Sequence, residues 1–203
     1  MKALVIVDVQ NDFMPGGTLP VAQADKIIPV INHIQHAFDL VVATQDWHPK
    51  NHISFASNHP DKKPYETINL GGYNEVLWPD HCIQGTSGAA FCATLNTNLV
   101  AAVFRKGMNP NVDSYSGFYD NHHAINTGMT GYLKDKKITE LYFCGVAADI
   151  CVYYTISDAV DEEFSCFLIE NASQPLDSTK FKRIKAELQQ KKVQIIHSNQ
   201  IIK

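Results

Sequence analysis

Six short apolar runs punctuate the chain, most of them separated by longer amphipathic stretches. Residues 3–9 (ALVIVDV) are rich in β-branched side chains, apolar at alternating positions of both registers, and closed by polar residues. That is the pattern of a strand buried on both faces. Residues 40–43 (LVVA), 99–104 (LVAAVF), 140–146 (ELYFCGV), 164–169 (FSCFLI) and 193–197 (VQIIH) repeat it. Helical periodicity appears near 23–37, 126–135, 149–161 and 178–190. Strands without a solvated face, alternating with helices, predict an α/β fold: a three-layer, doubly wound, mainly parallel six-stranded sheet with helices on both faces.

The stretch 44–98 breaks this rhythm. It is rich in Pro, Gly, Asn and His and holds both tryptophans, Trp47 and Trp78. Connections longer than roughly 15 residues are usually functional or disordered, and the aromatic content speaks against disorder. The chain is therefore expected to be one domain over 1–203 carrying a functional insertion at about 44–98.

Composition narrows the function. With 203 residues, 45% of them hydrophobic, the chain suits a single sizeable core. Seventeen basic against 21 acidic residues give a net charge of −4, which argues against a nucleic-acid partner. The densest basic clusters, 134–137 and 180–185, are broken by acidic or apolar residues and read as solvated helix faces. No apolar run approaches the roughly 18 residues of a membrane span. The run 3–7 is also too short for a secretory core and ends at Asp8, so a cytoplasmic protein without a membrane partner is expected. Five cysteines, an odd number without tight spacing, read as reduced thiols.

In parallel sheets ligands sit beyond the carboxyl ends of the strands, so the residues after each apolar run carry the functional weight. The first run ends Asp8-Val9-Gln10-Asn11-Asp12-Phe13. Either carboxylate alone reads equally well as a turn or helix cap, but Asp8 closes a buried run and needs a partner. The second gives Thr44-Gln45-Asp46-Trp47-His48-Pro49-Lys50-Asn51-His52. A carboxylate and two imidazoles at spacings of two and four can converge on Zn²⁺, Mn²⁺ or Fe²⁺. His81 follows in Trp78-Pro79-Asp80-His81-Cys82, where spacing alone does not assign it. His122 and His123 read as solvated. Lys106 follows the third run, as a surface cap or as a charge partner for Asp8 and a thiol. The fourth leads through Cys144-Gly145-Val146-Ala147-Ala148-Asp149-Ile150 to Cys151 at a helix opening, where backbone N–H groups and the dipole favour a thiolate below the free pKa near 8.5. Cys82, Cys92, Cys144 and Cys166 read as packed core residues.

Together these segments resemble the nicotinamidases (also called pyrazinamidases) of the isochorismatase-like cysteine hydrolases. The resemblance rests on the segments at 7–13 with Gly16-Gly17, 44–52, 77–82 with Gly85-Thr86 and Gly88-Ala89, Lys106-Gly107 with 113–118, and 144–151, in family order. It implies a triad of Asp8, Lys106 and Cys151, and one divalent metal, Zn²⁺ foremost with Fe²⁺ or Mn²⁺ as alternatives, held by Asp46, His48, His52 and His81. It implies a cis peptide before Ala147 that aims the backbone N–H groups of Ala147 and Cys151 into an oxyanion hole. Phe13, Leu19, Trp78 and Tyr115 match substrate-pocket walls. Ala148, Ile150 and the stretch Asn171-Ala172-Ser173-Gln174 depart from residues common in relatives.

The implied reaction is hydrolysis of nicotinamide, and of pyrazinamide as a further substrate, through a Cys151 thioester, serving NAD salvage in a monomer or homo-oligomer. Three rival readings are weighed at this point. One is a family hydrolase of another small amide or ether; another is a metal-water hydrolase in which Cys151 is structural. The third, a binding module that kept the pocket and lost turnover, is opposed by the full set Asp8, Lys106 and Cys151.

Overall fold

The computed structural model describes residues 1–70 and 72–202. In chain order its strands are β1 (Lys2–Val7), β2 (Leu40–Asp46), β3 (Thr67–Leu70), β4 (Tyr73–Val76), β5 (Val100–Lys106), β6 (Glu140–Gly145), β7 (Ser165–Ser173) and β8 (Gln194–Ile196). The helices are α1 (Ile28–Ile34), α2 (Met129–Asp135), α3 (Cys151–Asp161) and α4 (Ser178–Gln190). Six strands form one sheet in the order β5-β2-β1-β6-β7-β8, and every neighbouring pair is parallel. Each of the six expected strands and four expected helices is present.

Alternation along the strands sorts the core into two layers. On one face Leu4, Ile6, Val41, Ala43 and Ile169 pack against Ile28, Ile31 and Ile34 of α1. On the other, Ala3, Val5, Val7, Val42, Leu141 and Phe143 meet Met129 and Leu133 of α2, Val152 and Ile156 of α3, and Phe181, Ile184 and Leu188 of α4. Both faces are thus covered, as apolar strands require. Asp177 caps α4 by accepting the N–H groups of Thr179 and Lys180. Among the described residues no helix is long and apolar enough to cross a membrane.

Three features differ from the sequence reading. β2 runs on through Thr44, Gln45 and Asp46, because β5 pairs with all three along one side and their side chains are buried. β5 is an edge strand whose residues alternate in exposure, with Val103 44% exposed, although its sequence reads as fully buried. Within 44–98, β3 and β4 form an antiparallel hairpin that the composition of that stretch concealed.

Candidate active site

The chain begins in the middle of the sheet. β1 lies between β2 and β6, so the strand order reverses beside it, and all carboxyl ends open on one edge. Asp8 follows β1 with φ of 50°, a left-handed backbone that Asp adopts more readily than most residues. Asp46 and Lys106 end β2 and β5 directly opposite one another. Cys151 opens α3 beyond β6.

These side chains meet. Lys106 Nζ lies 2.9 Å from Asp8 Oδ2, 3.0 Å from Asp46 Oδ1 and 3.6 Å from Cys151 Sγ, and donates to the Ser114 carbonyl at 3.1 Å. Thr44 Oγ1 donates to Asp8 Oδ1 at 2.6 Å, and the Lys106 ammonium, in contact with both, bridges the Asp8 carboxylate and the Cys151 sulfur. Asp8, Lys106 and Cys151, named separately from three strand ends, form one buried contact.

Burial controls the proton affinities here. It raises the Asp8 pKa, with the Lys106 ammonium only partly offsetting it. Burial works against a charged Lys106, but Asp46 and Asp8 outweigh it and hold the ammonium well above its ordinary pKa. Cys151 moves opposite to expectation. Burial, reinforced by Asp8 and Asp46, raises its pKa well above the ordinary thiol value despite Lys106. The resting group is therefore a thiol beside a carboxylate of increased basicity. The helix-terminus reasoning missed this because it ignored two buried carboxylates within reach. Burial also raises the pKa of Cys82, Cys144 and Cys166, which are core residues as expected, whereas Cys92 is only half-buried.

The turn into α3 carries the Val146–Ala147 peptide in the cis form. The Ala147 carbonyl accepts the N–H groups of Ile150 and Val152. Among the described residues, the N–H groups of Ala147 and Cys151 enter no hydrogen bond, so both are available to an acceptor.

A second cluster adjoins the triad. His48 Nε2 and His81 Nε2 lie 3.1 and 3.4 Å from Asp46 Oδ2. The other ring nitrogens are engaged: His48 Nδ1 with the Gly107 carbonyl at 2.9 Å and His81 Nδ1 with the Pro79 carbonyl at 2.8 Å. Each Nδ1–H donates, so a neutral ring would present its Nε2 lone pair to an ion beside Asp46. Without an ion a protonated ring donates Nε2–H to the carboxylate, in keeping with the raised pKa of His48, where burial opposes the charge but Asp46 outweighs it. Donors about 2.1 Å from a first-row ion stand roughly 3.0–3.4 Å apart at octahedral or tetrahedral angles, so this trio fits a divalent cation. Gly107, at φ of 66°, seats the ring, since a Cβ there would lie 2.3 Å from His48 Cε1. Burial opposes the Asp46 charge, but His48, Lys106 and bonds from His48 and His81 together hold its pKa well below the ordinary value.

His52 does not join this trio. Its Nδ1 pairs with Ser54 Oγ at 2.7 Å, and it groups with His48 and Asp113 instead. Burial, then His48, lowers its pKa to about 4, so the ring is neutral, and among the described residues its buried Nε2 has no hydrogen-bond partner. His122 is not solvated as expected: it stacks on Tyr73 at 3.9 Å and lies 3.7 Å from Glu75 Oε1. His123 is exposed.

A cleft of about 410 Å³ opens onto both clusters and is lined by Phe13, Leu19, Trp78, Tyr115, Ala147 and Cys151, with Asp46 and His81. The four expected walls are all there, and Trp78 Nε1 donates to Tyr115 Oη at 3.2 Å. Val21, Asp113, Ile150 and Leu176 complete the lining. Val21 and Leu176 were missed, being single apolar residues in loops with no local signal. Asp113 lies in the family-like stretch 113–118 but had been given no role.

The isochorismatase domain model matches residues 2–200. The nicotinamidase of Acinetobacter baylyi is 47% identical over 175 residues, covering 86% of this chain and 82% of that protein. A nicotinamidase/pyrazinamidase structure from Acinetobacter baumannii superposes with a TM-score of 0.96 at 48% identity, covering 99% of this chain and 98% of the other. The pyrazinamidase of Pyrococcus horikoshii, solved in complex with zinc, superposes with a TM-score of 0.79 at 35% identity, covering 97% and 98%.

Proposed function

The chain belongs to the isochorismatase family, and from that premise we propose that it hydrolyses nicotinamide to nicotinate and ammonia through a thioester on Cys151. The observation that carries this reading is the contact of thiol, ammonium and carboxylate at the floor of an aromatic-walled cleft. Asp8, its basicity increased by burial, takes the Cys151 proton, and the Lys106 ammonium 3.6 Å from sulfur offsets the thiolate charge. The thiolate attacks the carboxamide carbon, and the N–H groups of Ala147 and Cys151 receive the developing oxyanion. Asp8 returns the proton to the leaving nitrogen, ammonia departs, and a nicotinoyl thioester remains. Asp8 then deprotonates water for attack on the thioester, releasing nicotinate and the Cys151 thiol.

Phe13, Trp78 and Tyr115 would hold the pyridine ring between aromatic faces, which orients the carboxamide toward sulfur. Pyrazinamide, with the same carboxamide on a similar ring, fits the same walls. Asp46, His48 and His81 would hold one divalent ion, Zn²⁺ in the first instance, while His52 stays outside the direct ligand set. When bound, the ion supplies a fixed positive charge and a Lewis acid that orients the ring. The product ring is a precursor for NAD synthesis. The stretch 44–98 would serve as the metal- and substrate-binding insertion of a single domain. Five unpaired thiols among the described residues suit a reducing cytoplasm.

Ammonia release from nicotinamide, assayed for the wild type and Cys151→Ala, tests the reading. Near-total loss in the variant with unchanged metal content, together with a nicotinoyl adduct on Cys151 by rapid-quench mass spectrometry, is expected. Activity retained in Cys151→Ala would assign the attack to another nucleophile.

A further inference from the structure

The structure assigns to Gln10 and Asp12 a role that the hydrolysis chemistry does not use: they set the metal site from outside, through the backbones of its ligands. This rests on the reading of Asp46, His48 and His81 as metal ligands.

β1 ends at Val7 while β2 continues to Asp46, so the end of β2 has no backbone partner on its β1 side. The Gln10 side chain takes that place. Its Oε1 accepts the Asp46 N–H at 2.8 Å, and its Nε2 donates to the Asp46 carbonyl at 2.8 Å and to the Ala89 carbonyl at 2.8 Å. One fully buried carboxamide therefore grips both main-chain groups of a metal ligand and ties them to the segment that follows His81. Asp46 needs such a grip, because its two oxygens face different groups: Oδ1 the Lys106 ammonium, Oδ2 the two imidazoles.

Asp12 holds the other half. Its Oδ2 accepts the N–H of Cys82, the residue after His81, at 2.7 Å. Gly88 lies against the same carboxylate so closely that a Cβ would come within 2.1 Å of Oδ2. Backbone bonds from Asn11 to Ala90 and from Asp12 to Gly88, each 3.0 Å, join the two segments. The Phe13 ring then packs 5.6 Å from the His81 ring. Positions 8, 10 and 12 thus divide the work: Asp8 faces the thiol, Gln10 places Asp46, and Asp12 places His81. Gln10 and Asp12 are positioning residues, and Asp12 is a long-range tie, not a cap.

Outer groups that orient metal ligands typically change metal affinity about 10- to 100-fold when removed. The test is a titration of metal-free protein with Zn²⁺ in competition with a chromophoric chelator, which reads binding without turnover. Gln10→Met and Asp12→Ala are each expected to bind Zn²⁺ about 10- to 100-fold more weakly than wild type, with activity restored at saturating Zn²⁺. Gln45→Met is the control: Gln45 Nε2 donates to the same Ala89 carbonyl at 3.0 Å but does not bond the Asp46 backbone, so it should bind as wild type does. Wild-type affinity in both Gln10→Met and Asp12→Ala overturns the inference, whereas failure of the wild type to bind Zn²⁺ overturns the metal reading beneath it. Amide hydrogen exchange in unaltered protein covers the case of variants that do not fold. The Asp46 N–H should exchange as slowly as the core of β2 and more slowly still with Zn²⁺; exchange at the rate of an exposed amide counts against the inference.

Discussion

Replacing Lys106 by Met removes the ammonium on which the triad turns while keeping a side chain of similar length. Its Nζ stands 2.9 Å from Asp8 Oδ2 and 3.0 Å from Asp46 Oδ1, with both partners buried. Asp46 keeps two imidazoles, but among the described residues Asp8 keeps only the bond from the Thr44 hydroxyl. Breaking a buried ion pair from one side costs about 3–5 kcal/mol, a large share of the roughly 5–15 kcal/mol by which domains are stable. At about 2–4 °C per kcal/mol for a chain of this size, Tm should fall by about 6–20 °C. The loss depends on pH in a definite direction. Burial already raises the Asp8 pKa above its unfolded value, and without Lys106 nothing of comparable strength opposes it. A carboxyl whose folded-state pKa is raised is penalised fully above that pKa and relieved as pH falls through it. The gap between wild type and variant should therefore be widest at neutral pH and close in acid. Calorimetric melts of both metal-free proteins across a pH series read this directly. A Tm difference under about 2 °C at neutral pH, or a gap that widens on acidification, would refute the reasoning. Activity should fall about 10- to 1000-fold, the one to three pKa units that an adjacent opposite charge supplies to a thiolate.

Two further outcomes follow from groups away from the triad. Asp149, fully buried, accepts the N–H groups of Leu176 at 2.7 Å and Asp177 at 3.2 Å, stapling a pocket wall to the nucleophile turn. Asp149→Ala should cost about 1–3 kcal/mol in a denaturant melt and raise KM more than it lowers kcat, and an unchanged KM would detach Leu176 from substrate binding. Glu162 accepts from Tyr119 Oη and from Lys134 Nζ at 2.9 Å, and the tyrosine bond followed by the lysine holds its pKa below the ordinary value. That stability is present above the unfolded pKa and lost as pH falls through the folded one, so Glu162→Gln should flatten the acid limb of a stability-pH curve, whereas an unaltered limb would place the acid sensitivity elsewhere.

Local information carried the sequence reading a long way. The central strands of the sheet are runs of apolar residues buried on both faces, and a chain with six runs of that kind in its sequence and intervening helical periodicity has few alternatives to a covered parallel sheet. The site residues were legible for a related reason: a parallel sheet sends all its carboxyl ends to one edge, so Asp8, Asp46, Lys106 and the approach to Cys151 were marked by following a strand.

Other properties depend on long-range placement. Edge and centre strands share an alphabet, so β5 looked buried until its place at the end of the sheet exposed Val103. His52 has the right spacing for a ligand, yet the path of the chain after β2 sets it against His48 and Asp113 and not in one group with Asp46 and His81. The Cys151 proton affinity was misjudged because a helix terminus is a local feature, whereas Asp8 and Asp46 arrive from other strands. The residue types and their order along the chain thus determined the fold class and the chemistry on offer. Which atoms share a proton, an ion or a wall was decided only when segments tens of residues apart were packed together, because burial and charge act through space and not along the chain.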